Sequence, residues 1–192
     1  MPAAVQAQPV PPAQVIVVDS EQIARTCTAC AAAATQLTAQ GQAIQARVAQ
    51  MRTQLETERT GIQTAVGALP AGTQPDAALQ ARITAYEQRQ QAFSTEIQGR
   101  QQTYERNQRY VLQQIGERVR PAVNAVMTQR GANLAVDAGQ IINTAAALDV
   151  TAAVLAIVNQ NAAPLNVNAP AQAATPATTP ATTPPRPRPT GR

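Results

Sequence analysis

Cys27 and Cys30 are the residues whose types and spacing most suggest chemistry. A C-x-x-C pair can be a redox dithiol or half of a zinc site. A thioredoxin-like dithiol sits at a helix start beside a βαβ sheet, and the flanking pattern is not of that kind. A structural zinc site needs four ligands, and the chain has no other Cys and no His. The pattern therefore favours two small apolar residues with free thiols on a packed helix face. An oxidised i, i+3 pair is the alternative, permitted in an exported protein by an oxidising compartment.

Other chemistry is thinly provided for. Without His the commonest general base and metal ligand is missing. Without Lys there is no Schiff-base amine and no P-loop cation. The carboxylates are dispersed, and Glu56 and Glu58, two apart, do not face each other on a helix. No phosphate-cradling Gly loop and no nucleophile motif occurs. The expectation is a non-enzyme with no catalytic, metal-binding or cofactor-binding residues.

The net charge of +4 is carried by Arg alone among the basic side chains. A mild positive balance could attract nucleic acid, lipid headgroups or acidic clients. Here the Arg residues are interleaved with Glu along the helices, and aromatics are only 2%, too few for base stacking. A solvated helical face is the better reading, and nucleic acid is not an expected partner. A peripheral contact with a membrane surface stays open, but no stretch is long and apolar enough to span a bilayer.

The elements follow from hydrophobic spacing. An apolar seam steps by four and three from Ile23 through Cys27, Cys30, Ala34, Leu37, Gly41, Ile44, Val48, Met51, Leu55, Glu58, Ile62 and Ala65 to Leu69. Its mean step of about 3.5 residues is that of a left-handed coiled coil. After Pro70 and Gly72 a second seam runs Leu79, Ile83, Tyr86, Gln90, Phe93, Ile97, Arg100, Tyr104. Past Tyr104 the spacing lengthens through Val111, Ile115, Val119, Ala122 and Val126, so the supercoil should relax there. These spacings predict a helix over 20–69, a tip at 69–76, and a returning helix from 75 to 120 that continues past a kink at Pro121. Gly41 and Glu58 interrupt the first seam and predict local flexibility. Tyr110 lies off the seam register and is a candidate contact for a bound partner.

Short β-branched or alternating runs flank the hairpin. Val15-Ile16-Val17-Val18 reads as a strand, with Asp19 capping the helix that follows. After Gly131, Leu134 and Val136 alternate as in a second strand, and Gln140–Asn143, with Ile141 and Ile142, reads as a third. Asp149 or Thr151 caps a last short helix. The fold class is α+β, predominantly helical: a long antiparallel coiled-coil hairpin on a small β-body. Three short strands leave open edges, so several chains are expected to pool them into a closed barrel. Val15, Ile16, Val17, Val18, Leu134, Val136, Ile141 and Ile142 would build that body.

The predicted organisation is a disordered leader at 1–13, one domain at 14–160 and a disordered Pro/Thr/Ala-rich tail at 161–192. Within the domain the body spans 14–19 and 121–160, and the arm spans 20–120. Val5-Gln6-Ala7 before Gln8 has the small-residue end of a secretory cleavage site without its apolar core, so Met1 is read as lying inside a signal peptide or following a trimmed one. A disordered Ala/Pro leader fits the same residues.

Three motifs in this order resemble the Skp/OmpH family of periplasmic chaperones. They are Val15-Ile16-Val17-Val18-Asp19, Arg130-Gly131-Ala132-Asn133-Leu134-Ala135-Val136-Asp137 and Leu148-Asp149-Val150-Thr151. The resemblance covers about 15–160. It implies a homotrimer with a small β-barrel body and three arms around a cavity that holds unfolded outer-membrane proteins. It implies an ATP-independent holdase acting in the periplasm. The arms depart from the family pattern in being Gln- and Ala-rich rather than rich in Lys and Glu, and Asn133 stands where an aromatic is common. Neither a charge-based client grip nor a lipopolysaccharide site is carried over. A structural spacer of the cell envelope and a prefoldin-like cytosolic chaperone are the rival readings.

Overall fold

The computed structural model describes residues 11–160 and 163–170. The expected leader up to residue 10, with its cleavage-like motif, and the Thr/Pro tail from 171 lie outside the described residues.

The chain opens with β1, Val15–Val18, whose last three residues are buried. Asp19 then caps α1, Ser20–Thr26, its carboxylate accepting the Gln22 N–H at 2.7 Å. The expected single helix to Leu69 is instead two, because Cys27 has an extended backbone (φ −62, ψ 139). This residue caps the second helix, α2, Thr28–Gly67. Cys27 and Cys30 are joined by a disulfide with their Cα atoms 5.0 Å apart. The Cys27 Sγ also accepts the Cys30 N–H at 3.1 Å. The free-thiol expectation is thus corrected, whereas the expected burial of both side chains holds.

Helix α2 is 40 residues long, which at 1.5 Å per residue is about 60 Å. The tip turns at Gly72, whose φ of 80° needs a residue without Cβ strain. Asp76 caps α3, Ala77–Arg130, by accepting the Leu79 N–H at 2.7 Å. Pro121 lies inside α3, and Gly131, left-handed at φ 66°, ends it. Between α2 and α3 the expected seam packs as an antiparallel pair. Near the disulfide the buried position moves from Ala34 to Ala33, following the break at Cys27.

Strand β2, Leu134–Asp137, pairs with β1 in parallel, Val15 opposite Leu134 and Val18 opposite Asp137. The entire arm is the crossover between them. The expected third strand at 140–143 is absent. Asp137 accepts the Gly139 N–H at 2.9 Å and starts a 3-10 turn, Ala138–Gln140, that carries the chain away from the sheet. An isolated parallel bridge joins Val17 to Asp149 in its place. The last helix, α4, Thr151–Gln160, lays Val154 and Val158 against α1 and α3.

The core sits at the base of the hairpin, where Ile23, Val126 and Val154 are sealed from solvent. It has an unexpected contributor. Leu165 and Val167, from the stretch read as tail, are buried in the same cluster as Val111 and Ile115. The boundary of the folded unit therefore lies beyond residue 160.

Candidate functional site

Three short motifs, the first more than a hundred residues from the other two, meet at one end of the two-stranded sheet. The Asp19 N–H donates to the Thr151 hydroxyl at 2.8 Å. The Thr151 N–H donates to Asp149 Oδ1 at 2.9 Å. The Ser20 hydroxyl donates to Asp137 Oδ2. Asp137 is held below its ordinary value by the Ser20 hydroxyl first and the Gly139 N–H second. Asp149 is lowered by the Thr151 hydroxyl and then by the Thr151 N–H. Each Asp satisfies backbone or hydroxyl donors where a strand or turn gives way to a helix, so these carboxylates build the junction. None is arranged as an acid/base pair.

The expected body residues divide into two groups. Ile16, Val17 and Val18 are buried within the single chain, and Val15 and Val136 are half-buried. Leu134 is 46% exposed, and Ile142 is fully exposed at 106%. Ile141 is half-buried outside any strand. The body therefore presents apolar side chains outward next to an unpaired sheet edge. Tyr110 is half-buried, and its carbonyl accepts the Gln114 side-chain amide at 3.2 Å.

Along the arm the two helices are tied by charge. Arg47 grips Glu96 with two bonds of 3.0 Å, and Arg100 adds a third at 2.9 Å. Glu96 is lowered from 4.5 to about 2, chiefly by the Arg47 and then the Arg100 hydrogen bonds. The seam carboxylate Glu58 pairs with Arg89 on the opposite helix. Gly41 faces the ring of Tyr104, and a Cβ there would meet its hydroxyl at an ordinary 3.5 Å.

Several clefts open along the hairpin. One of about 630 Å³ includes Ala34, Leu37, Arg109 and Leu112. Another of about 500 Å³ includes Gln40, Ile44, Gly99 and Tyr104. Beside the second lies the extended segment 163–170, held by side-chain amides of Gln40, Asn107 and Gln114 that add no apolar signal to the seam. Asn107, 4% exposed, donates to Gln40 Oε1 and accepts the Ala169 N–H, both at 2.9 Å. Its register was readable, since it falls between Tyr104 and Val111 on the seam. A polar residue at such a position fixes register at a cost in stability, and here its amide is satisfied by Gln40 and Ala169. Among the described residues no group of three or more His, Cys, Asp or Glu is placed to hold a metal ion.

Comparison with known proteins now decides the family. Residues 14–158 match the family described as outer membrane protein (OmpH-like). The chain belongs to the OmpH-like family. No curated protein matches the sequence. Among solved structures, the fold is similar to that of a proposed outer membrane chaperone (OmpH-like) from Caulobacter crescentus. That likeness has a TM-score of 0.69 at 18% identity, over 85% of this chain and 95% of the other. At that identity the likeness establishes the OmpH-like fold: long paired helices on a small sheet. The junction of Asp19, Asp137 and Asp149 lies within the matched span. No helix among the described residues is long and apolar enough to cross a membrane.

Proposed function

We propose that this OmpH-like chain is an ATP-independent holdase that keeps unfolded outer-membrane proteins from aggregating in the periplasm. Three copies join at their bodies, close their short sheets into one barrel, and hold a client between three arms. The observation that carries the reading is the unfinished body. A two-stranded parallel sheet, whose β2 edge pairs with no other strand among the described residues, sits beside exposed Leu134, Ile142 and Leu148 at the root of two long helices. A lone two-stranded sheet is marginal in water, and exposed edges invite pairing.

The mechanism is mass action. Many weak contacts along the arms lower the free concentration of client that can aggregate. Enclosing them in one cavity raises their effective concentration. Half-buried Tyr110 is a proposed client contact, and scattered arm Arg residues suit a peripheral contact with a membrane surface. The periplasm is the proposed compartment, where oxidation of Cys27 and Cys30 is favourable.

The test is light scattering from a urea-denatured outer-membrane β-barrel protein diluted with and without this chain, in the absence of ATP. Suppression at stoichiometric trimer supports the reading, and undiminished aggregation refutes it. Ile142→Asp is the preferred probe of assembly. Val17 is buried inside its own chain, and its carbonyl accepts the Val150 N–H at 2.9 Å, so Val17→Asp would unfold the body as well.

A further inference from the structure

The segment 163–170 lies along the hairpin in a manner that resembles a bound peptide more than a connecting loop. Its anchor points on α3 run from Arg118 through Gln114 to Asn107. Eleven helical steps span about 16 Å, which the segment covers in six steps from Ala163 to Ala169. At about 2.7 Å per residue it approaches the extension of a polyproline or strand conformation.

Almost every polar contact that holds it reaches its backbone. The Gln114 side chain accepts the Asn166 N–H at 3.0 Å and donates to the Asn166 carbonyl at 2.8 Å. This is the two-bond pattern that a neighbouring strand would offer. Arg118 donates to the carbonyls of Ala163 and Pro164. Asn107 accepts the Ala169 N–H, and Gln40 donates to the Val167 carbonyl at 3.4 Å. Among the described residues, only the Gln40 contact to Asn168 Oδ1, also 3.4 Å, reads a side chain. Side-chain selection is confined to two apolar positions two residues apart, Leu165 and Val167, both buried, while Asn166 and Asn168 face solvent. Backbone bonds for grip and alternate pockets for selection are the logic of recognising an extended chain.

The alternation Leu165-Asn166-Val167-Asn168 is also that of a transmembrane β-strand, apolar on one face and polar on the other. The groove does not end where the described segment does. Gln40 lines the 500 Å³ cleft as well, and Ala43, Gly99 and Thr103 carry it further along the arm.

We propose that the groove between α2 and α3 at the base of the arm is a docking track for extended, alternating apolar–polar segments of unfolded β-barrel chains. Residues 163–170 are its resident occupant and compete with the client from within the chain. The proposal rests on the holdase reading and names the client feature that one part of the arm recognises. A tethered occupant acts at an effective concentration of about a millimolar, so clients that bind the track more weakly are excluded. Contacts to the backbone make the track tolerant of sequence, as a holdase with many clients requires.

The test uses the full chain and Leu165→Asp/Val167→Asp, which releases the occupant. A fluorescent octapeptide of sequence Ala-Pro-Leu-Asn-Val-Asn-Ala-Pro and an alternating strand peptide from an outer-membrane barrel are titrated into each and followed by anisotropy. The released chain is expected to bind both at least tenfold more tightly than the original, and adding Gln114→Ala to it should reverse most of that gain. Equal affinities for the original and a folded, released chain would overturn the proposal. Should the variant fail to fold, hydrogen exchange on the original chain decides. Amides of Asn166 and Ala169 should lose protection when an unfolded barrel protein binds, and unchanged protection in a bound complex would overturn the proposal. Tighter peptide binding without any suppression of aggregation would remove the holdase reading and leave the groove. Suppression with unchanged peptide affinity and protection would do the opposite.

Discussion

Replacing Ile23 by Ala should test how the base of the arm is held together. Ile23 is wholly inaccessible to solvent, on a helix of seven residues that touches α2, α3 and α4. The change removes three carbon atoms, worth about 2.4 kcal/mol by transfer at ~0.8 kcal/mol per buried methylene. The cavity left behind raises the loss to about 3–4 kcal/mol, because a packed base cannot collapse fully onto it. Against a typical total of about 5–15 kcal/mol, that is a large fraction. A chain of this size should melt roughly 6–16 °C lower. Circular dichroism melts of Ile23→Ala beside Ile142→Ala make the comparison. Ile142 is fully exposed in the single chain, so its truncation should cost that chain under about 0.5 kcal/mol and instead weaken self-association. A loss below about 1 kcal/mol at Ile23 would refute the packing described for α1.

Other perturbations have equally definite outcomes. Gly41→Ala should stabilise the arm by about 0.5–1 kcal/mol, read as a higher urea midpoint, since the added methyl meets Tyr104 at ordinary contact distance. Glu96 is lowered in the folded arm, so its contribution is complete above the ordinary value of 4.5 and is lost as pH falls toward about 2. Melting of the original chain should therefore drop across that window, and Glu96→Gln should flatten the drop. Cys27→Ser/Cys30→Ser should lower stability by roughly 2 kcal/mol, because so short a loop removes little freedom from the unfolded chain. A thiol titration of unreduced protein should find none free.

The arm was legible because its information is periodic. A four-and-three spacing repeated from Ile23 to Leu69 specifies a packed face, and Pro70, Gly72, Asp76 and Gly131 punctuate it by local turn and capping chemistry. The strand at 140–143 misled because two adjacent Ile residues fit a strand, whereas the Asp137 carboxylate upstream had already turned the chain. The break at Cys27 comes with a covalent bond that spacing cannot distinguish from two apolar contacts. The docked segment escaped for a different reason. Leu165 and Val167 are too few to announce a strand, and their partners Gln40, Asn107 and Gln114 carry no apolar signal. Their meaning depends on a contact between residues about 50 to 130 positions apart. The alternation at 165–168, set against the Thr/Pro repeat that follows, was the only local trace.

Native mass spectrometry of the purified protein, alone and with an unfolded outer-membrane barrel protein, tests the central claim most directly. Three chains are expected in the free particle, and three chains with one client in the complex. A folded single chain that leaves the client unbound would contradict it.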